Sequence, residues 1–309
     1  MTTMAEPTPC PLCGGAEPRP HLCRRGHEIV RCPRCGFMFV SPPPSPAELA
    51  AFYRDPAYFQ GGEAGYVNYL ADQSWLEGLA RGRLERIERL LPRRGTVLDV
   101  GCAAGFFLSV ARERGWRPLG AELSDEMAAY ARRLAGCPVA PSVDQLGIAP
   151  GTLDAVTLWE YVEHVPQPRE EIERLATLLR PGGVLALSTP NTAYWTAIHR
   201  PEHWKEFSPP AHLGFFTDAT LRRLLESCGL EVVALPHLTP RAPSHPYALE
   251  RLLGQLRELV GSGASRRTPL WWSFGLAWRA AELASIAGYR LRWPGSDLHL
   301  GIEAYARKR

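Results

Sequence analysis

A chain of 309 residues with 45% apolar side chains is long enough for one large domain with appendages, or for two domains, and excludes an extended or disordered polymer. Its 35 basic and 32 acidic residues leave a net charge of +3, which gives no general nucleic-acid footprint and leaves room only for a local basic patch. No stretch reaches transmembrane length and Met1 to Pro20 lacks an apolar run, so neither a membrane span nor a signal peptide is expected and the chain reads as cytoplasmic.

Of eight cysteines, those at positions 10, 13, 23, 32 and 35 crowd the start of the chain. In a cytoplasmic protein such pairs read as metal ligands before disulfides. Cys-Pro-Leu-Cys-Gly from Cys10 and Cys-Pro-Arg-Cys-Gly from Cys32 are two knuckles, each closed by a glycine. They put the thiolates of Cys10, Cys13, Cys32 and Cys35 within reach of one tetrahedral Zn²⁺. So small a segment cannot fold on its own buried surface, and the metal would supply that free energy. A redox dithiol is disfavoured because no βαβ pattern surrounds the knuckles. Cys23 is then spare, and His21 or His27 would ligate only in place of a cysteine. A zinc ribbon over 1–42 is therefore expected, followed by the stiff linker Ser41-Pro-Pro-Pro-Ser-Pro and a larger domain over 43–309. Ala47 to Tyr53 and Trp75 to Leu91 read as helices, the second with Ile87, Leu90 and Leu91 on one face. Tyr53, Tyr58, Phe59, Tyr66 and Tyr69 between them read as packing ahead of a lid.

From Thr96 the pattern becomes strand–helix alternation, which calls for a parallel α/β sheet with right-handed crossovers. Val97 to Val100 suits a buried strand, and Gly101, Ala103 and Gly105 then form G-x-A-x-G, a turn where backbone approaches a ligand closely. This is not the three-glycine dinucleotide fingerprint. Asp99 would repel a pyrophosphate but suits a cofactor with a free ammonium group, as at the methionine end of S-adenosylmethionine. Pro118 to Leu123 reads as the second strand, ending near Glu122, about 20 residues past the first glycine, where an acidic side chain takes ribose hydroxyls. A ligand-free turn and a solvated Glu are the plain alternatives for each motif alone. Ser124 caps a helix with Met127, Tyr130, Ala131 and Leu134 inward, ending at Gly136. Val139-Ala140 and Asp154 to Trp159 are further strands. A helix opened by Pro168 stops at Pro181-Gly182-Gly183 before a strand over Val184 to Ser188. A helix over Thr217 to Cys228 precedes a strand over Glu231 to Leu235. Residues 237–297 break the rhythm with a Pro-rich start, a helix near Leu249 to Val260, a Gly/Ser loop and an apolar stretch holding Trp271, Trp272, Phe274 and Trp278. Its polar face is not notably basic, so a helical insertion packed on the core is preferred to a membrane-surface helix. Leu298 to Ala306 is the last strand.

Asp99 to Gly105, Glu122, Asp154, Glu163-His164-Val165-Pro166, Leu179-Arg180-Pro181-Gly182-Gly183, Pro190-Asn191 and His212 occur in order. In that set the chain resembles the class I S-adenosylmethionine-dependent methyltransferases. More narrowly, it is similar to the bacterial group of ubiquinone-biosynthesis O-methyltransferases and to zinc-ribbon-bearing relatives that modify sugars, polysaccharides or natural products. The resemblance covers roughly 95–236, with the ribbon and linker adding 10–60. It implies a Rossmann-like seven-stranded sheet and S-adenosylmethionine as cofactor. Asp99, Gly101, Ala103 and Gly105 would hold the methionine moiety, Glu122 the ribose, and Ser142 and Val143 the adenine, although the local sequence lacks the usual glycine. Trp159 would wall the reaction centre or be ordinary core. The expected reaction is methyl transfer to a hydroxyl of a small molecule or glycoconjugate. C-methylation of a nucleotide-linked deoxysugar is the nearest rival. RNA modification, with Arg24, Arg25, Arg31 and Arg34 of the ribbon on phosphate, is a second, and an adaptor without catalysis a third, against which the intact glycine turn argues.

Glu160, Glu163 and His164 stand at i, i+3 and i+4, so a helical turn after the fourth strand would put them on one face at the carboxyl end of the sheet. Glu-x-x-Glu-His also resembles the metal-binding run of methyltransferases that modify the 3′ end of small RNAs and of the ubiquinone O-methyltransferases. In the former a later histidine completes the site, and His212 matches it. Two carboxylates and two imidazoles suit Mn²⁺, Fe²⁺, Co²⁺, Zn²⁺ or Mg²⁺, and such an ion would bind adjacent acceptor oxygens and lower a hydroxyl's pKa. The alternative is metal-free, with His164 a general base beside Glu163 or a structural histidine. Pro166 would also cut the helix short.

Overall fold

The structure is a computed structural model and describes residues 8–55, 69–238, 240 and 269–309. Tyr58, Phe59, Tyr66, the helix expected near 249–260 and the Gly/Ser loop lie outside the described residues, as do the side chains of Trp271, Trp272, Phe274 and Trp278.

Each knuckle closes on itself: Gly14 N–H donates to the Cys10 carbonyl at 2.8 Å, and Gly36 N–H to that of Cys32 at 2.9 Å. Between them β1 (Arg19–Arg24) and β2 (His27–Arg31) form an antiparallel hairpin, β3 (Met38–Val40) pairs with β2, and β9 (Gly214–Phe215), from far along the chain, adds a fourth strand. After the prolines, Ser45 and Glu48 form a reciprocal capping box that starts α1 (Pro46–Arg54). In α2 (Gln73–Leu90) the buried face carries Ala80, Leu84 and Ile87, and also Arg83.

The main sheet contains β4 (Thr96–Val100), β5 (Arg117–Ala121), β6 (Val139–Ala140), β7 (Leu153–Trp159), β8 (Leu179–Pro190), β10 (Leu230–Ala234) and β11 (Gly301–Lys308). Its seven strands run in the order β10-β11-β8-β7-β4-β5-β6. The centre is buried on both faces, which is why β4, β7 and β8 read as near-continuous apolar runs. The helices are α3 (Phe106–Glu113), α4 (Asp125–Ala135), α5 (Pro168–Leu178), α6 (Trp195–His199) and α7 (Asp218–Ser227), with a longer helix over Pro269–Arg292. Two expectations change. The sheet is not wholly parallel, because β11 enters antiparallel between β8 and β10. And α5 stops at Leu178, since Leu179 already pairs with Leu153 and β8 continues through Pro181-Gly182-Gly183. There a Cβ on Gly183 would come within 2.9 Å of the Arg180 carbonyl, so only glycine passes.

The chain falls into two compact units, one of Met1–Thr192, Lys205–Pro236 and Gly301–Arg309, the other of Ala193–Trp204 and His237–Leu300. The first holds both sheets. In the second, Trp195, Ile286 and Leu298 form a small core with Tyr289 and Trp293 against it. No helix among the described residues is long and apolar enough to cross a membrane.

Candidate active site

Chain order reverses at β4: β5 and β6 lie to one side of it, β7 and β8 to the other. Ligands bind outside the carboxyl ends of strands at such a switch point. The turn leaving β4 takes left-handed φ at Gly101 (+72°), Ala103 (+44°) and Gly105 (+78°). A Cβ on Gly101 would meet the Tyr161 ring at 2.7 Å, and one on Gly105 the Ala131 side chain at 2.7 Å, so both positions require glycine twice over.

Asp99, near the end of β4, is 3% exposed and accepts the Thr157 hydroxyl at 2.6 Å. Burial pushes its carboxyl up to about 7, with Glu122 adding to the rise and Thr157 and Arg83 opposing it. Glu122 lies just past β5 and does more than wait for a ribose. One oxygen accepts Ala103 N–H at 2.9 Å and the other Ser124 N–H at 2.8 Å, tying the glycine turn to the start of α4. Burial raises its pKa as well, against those bonds. Each carboxylate oxygen still has acceptor capacity. Ser142 precedes the short 3₁₀ turn Val143–Leu146 after β6, where Val143 is buried. Trp159 ends β7 with Arg83 stacked 4.1 Å from its ring centroid, and Phe107 and Tyr305 beside it. Its buried indole N–H has no hydrogen-bond partner among the described residues.

Past β7 the one-face helix expected over Glu160–His164 does not form. Glu160 takes left-handed backbone (φ +49°), its N–H held by the Ser188 carbonyl at 3.1 Å, and only the short 3₁₀ turn Val162–His164 follows before Pro166. The residues whose ligand atoms lie within 4.8 Å of one another are Glu163, His164 and His212; Glu160 is not among them. Glu163 is 1% exposed, and neither carboxylate oxygen has a hydrogen-bond partner among the described residues. Burial, then the charge of Glu160, drives its pKa well upward. Burial and the adjacent His212 lower His164 to about 3, against the carbonyls of Ala211 and Glu160, and burial lowers His212 to about 4. Both imidazoles are therefore neutral at pH 7. Nδ1 of His164 lies 2.8 Å from the Ala211 carbonyl and Nδ1 of His212 lies 2.8 Å from that of Glu206. A carbonyl can only accept, so Nδ1 carries the proton on each ring and Nε2 keeps its lone pair. A buried carboxylate beside two such rings fits the donor set of a divalent cation.

The other candidate cation site also assembles. The sulfurs of Cys10, Cys13, Cys32 and Cys35 lie within 4.8 Å of one another. Burial raises the Cys10 and Cys35 thiols, the latter to about 11. Four thiols this close ionise together only around a cation, and the set fits tetrahedral Zn²⁺.

Sequence reading passed over Arg83, and gave Tyr53 a packing role ahead of a lid, not a place beside His164. Arg83 had a visible signal, a charge on the apolar face four residues before Ile87. Tyr53 had none beyond its place among other aromatics.

Residues 73–235 match a family model described as a methyltransferase domain. The ubiquinone biosynthesis O-methyltransferase of Cupriavidus pinatubonensis is 29% identical over 189 residues, 57% of this chain and 75% of that protein. Its Xanthomonas axonopodis pv. citri namesake is 36% identical over 163 residues, 46% of this chain and 68% of that one. Among solved structures, a SAM-dependent methyltransferase from Archaeoglobus fulgidus superposes with a TM-score of 0.51 at 18% identity, over 78% of this chain and 99% of that one. Phosphoethanolamine N-methyltransferase 2 of Haemonchus contortus, in complex with S-adenosyl-L-methionine, gives 0.55 at 17% identity, over 88% and 61%. At such identities the superpositions speak for the fold.

Proposed function

This chain belongs to the class I S-adenosylmethionine-dependent methyltransferases, and we propose that it methylates a hydroxyl of a small molecule or glycoconjugate. The arrangement that supports the oxygen acceptor is His164 past the carboxyl end of β7, its Nδ1 held by the Ala211 carbonyl at 2.8 Å and its ring grouped with Glu163 and His212.

When bound, S-adenosylmethionine supplies a methyl group already activated on a sulfonium. The residues fit it: Asp99 offers a buried carboxylate to the ammonium, Gly101, Ala103 and Gly105 let main chain approach the methionine moiety, and Glu122 accepts ribose hydroxyls beside its two main-chain N–H groups. Ser142 and Val143 would contact the adenine, and Trp159 would wall the reaction centre. What remains is to align the acceptor oxygen and take its proton; His164 Nε2 would take it as general base, a weak one while burial holds the imidazole at about 3. In the second reading, which takes His164 as ligand and not as base, Glu163, His164 and His212 would hold a divalent ion, whose chemistry would be to lower the pKa of a bound hydroxyl. His164 cannot be ligand and base through one nitrogen, so the ion and the base are separable by experiment. Cys10, Cys13, Cys32 and Cys35 hold a structural zinc in a ribbon over 1–42, and 43–309 form the methyltransferase domain with its helical insertion.

Mass spectrometry of gently purified protein should find retained S-adenosylhomocysteine, and a screen of hydroxylated acceptors should give an O-methyl product by NMR. A C- or N-methyl product overturns the oxygen assignment. His164→Ala should lower kcat by about 10²–10⁴-fold with S-adenosylhomocysteine affinity retained. Activity should fall in EDTA and return with a divalent ion. Full activity in chelator removes the second ion, and full activity of His164→Ala removes the base.

A further inference from the structure

The ribbon's outer strand is paired with the very segment that carries His212. Phe37 follows the Cys35-Gly36 knuckle, is fully buried, and lies 4.8 Å from Phe216, ring to ring. Gly214 admits this contact, since a Cβ there would come within 2.9 Å of the Phe37 ring. Met38 faces Phe215 and Phe39 faces Gly214 across β3 and β9, and Val40 N–H donates to the Leu213 carbonyl at 2.9 Å. Leu213 N–H in turn donates to the Glu163 carbonyl at 2.7 Å. His212 therefore sits one residue from a rail bonded on one side to the ribbon and on the other to the Glu163 turn.

The same N-terminal segment makes a second tie. The Tyr53 hydroxyl, in α1, donates to the Ala211 carbonyl at 2.8 Å and lies 3.0 Å from His164 Nδ1, with the two rings edge-on at 5.6 Å. Because Tyr53 gives its proton to Ala211, it is an acceptor towards His164 Nδ1–H. The hydroxyl and the carbonyl together fix the tautomer and the plane of that imidazole. Outer partners of this kind set how well a histidine presents its other nitrogen.

We propose that Tyr53 is a positioning residue for His164 and that the ribbon positions His212, so that metal at the four cysteines governs cation affinity at the Glu163–His164–His212 centre. Phe37 and Phe39 anchor β3 in the main core, and the metal would join the two knuckles that lead into it, so metal loss should loosen β3 against β9. Without β3, β9 loses its edge partner and Leu213 its bond to Val40. This inference rests on reading that centre as a cation site.

The test is Mn²⁺ binding to the full chain, followed by the electron paramagnetic resonance of free Mn²⁺, with zinc content and S-adenosylhomocysteine affinity measured on every variant. Wild type should bind Mn²⁺ and Glu163→Gln should not. Tyr53→Phe keeps the ring and the zinc and should weaken Mn²⁺ binding by about 10–100-fold. Cys35→Ser should lower zinc and Mn²⁺ binding together, and Cys35→His, which restores a four-ligand set, should keep both. If wild type binds no Mn²⁺, or Glu163→Gln binds it equally well, the cation reading fails and this inference with it. If binding depends on Glu163 yet is unchanged in Tyr53→Phe or in zinc-free Cys35→Ser, this inference alone is overturned. If the Cys35→Ser chain no longer binds S-adenosylhomocysteine, Cys35→His decides for the ribbon: Mn²⁺ binding that does not follow the zinc content of that variant overturns the inference.

Discussion

A carboxylate sealed between parallel strands keeps its proton unless a cation arrives, and Asp99 is held in that condition, its pKa pushed up to about 7 by burial. The sign of the consequence follows. A carboxyl whose folded value is raised stabilises the ligand-free protein below its unfolded value, and that contribution is lost as pH rises through about 7. An ammonium ligand needs the ionised form, so its binding gains what folding loses. S-adenosylhomocysteine affinity should be nearly flat just above pH 7 and fall towards about tenfold per unit below it. Below pH 7 the ligand's amine stays protonated, so the slope there belongs to the protein. Asp99→Asn should flatten it and weaken binding by about 1–3 kcal/mol, measured by calorimetry across pH. A slope unchanged in Asp99→Asn would take the ammonium away from Asp99.

At the scale of elements, the ribbon joins sequence to structure most directly, because both knuckles and their glycines were readable and their four sulfurs do meet. Elemental analysis of protein purified without chelator should find one zinc per chain, and Cys32→Ser with Cys35→Ser should lose it; equal zinc in the double variant would refute this. Elements with a local signal were legible in this way: Ser124 and Gly136 bracket α4, Thr217 caps α7, and the glycine turn follows β4. What was not legible depends on partners distant in sequence. The early end of α5 is decided by Leu179 pairing with Leu153, and the direction of β11 by its neighbours in the sheet. In the candidate site, Glu163, His164 and His212 were visible as residue types, but the geometry came from the left-handed turn at Glu160, which no propensity of glutamate announces. Tyr53 was hidden for the same reason, its partners being 111 and 158 residues away.

Across the whole molecule, the carboxyl edge of the sheet gathers buried acids, Asp99, Glu122, Glu163 and Glu303, in a chain whose net charge is +3. Of the two cations that α2 sends towards Glu303, Arg83 and Arg86, Arg83 is the buried one. It donates to Glu303 on β11 at 2.9 Å and to Ser188 on β8 at 3.1 Å, and it covers Trp159 at the end of β7. Arg86 and the Tyr305 hydroxyl complete the shell of Glu303 at 2.6 and 2.8 Å. A helix before the glycine turn is thereby fastened to a strand 220 residues later, with Asp99, the carboxylate proposed to hold the cofactor's ammonium, inside the same field. Such a cluster adds little over a well-packed apolar one, but removing one member leaves the others buried and uncompensated. Because Arg86 still pairs with Glu303, Arg83→Met should cost less than the ~3–5 kcal/mol of a buried charge left wholly unpaired, measured by urea unfolding. It should also raise the pH at which S-adenosylhomocysteine binding begins to fail, because Arg83 lowers the pKa of Asp99. The two readouts separate a fastening from an electrostatic role: lost stability with an unmoved pH midpoint leaves Arg83 a fastener only, and if neither changes, the cluster is not what joins helix, sheet and cofactor site.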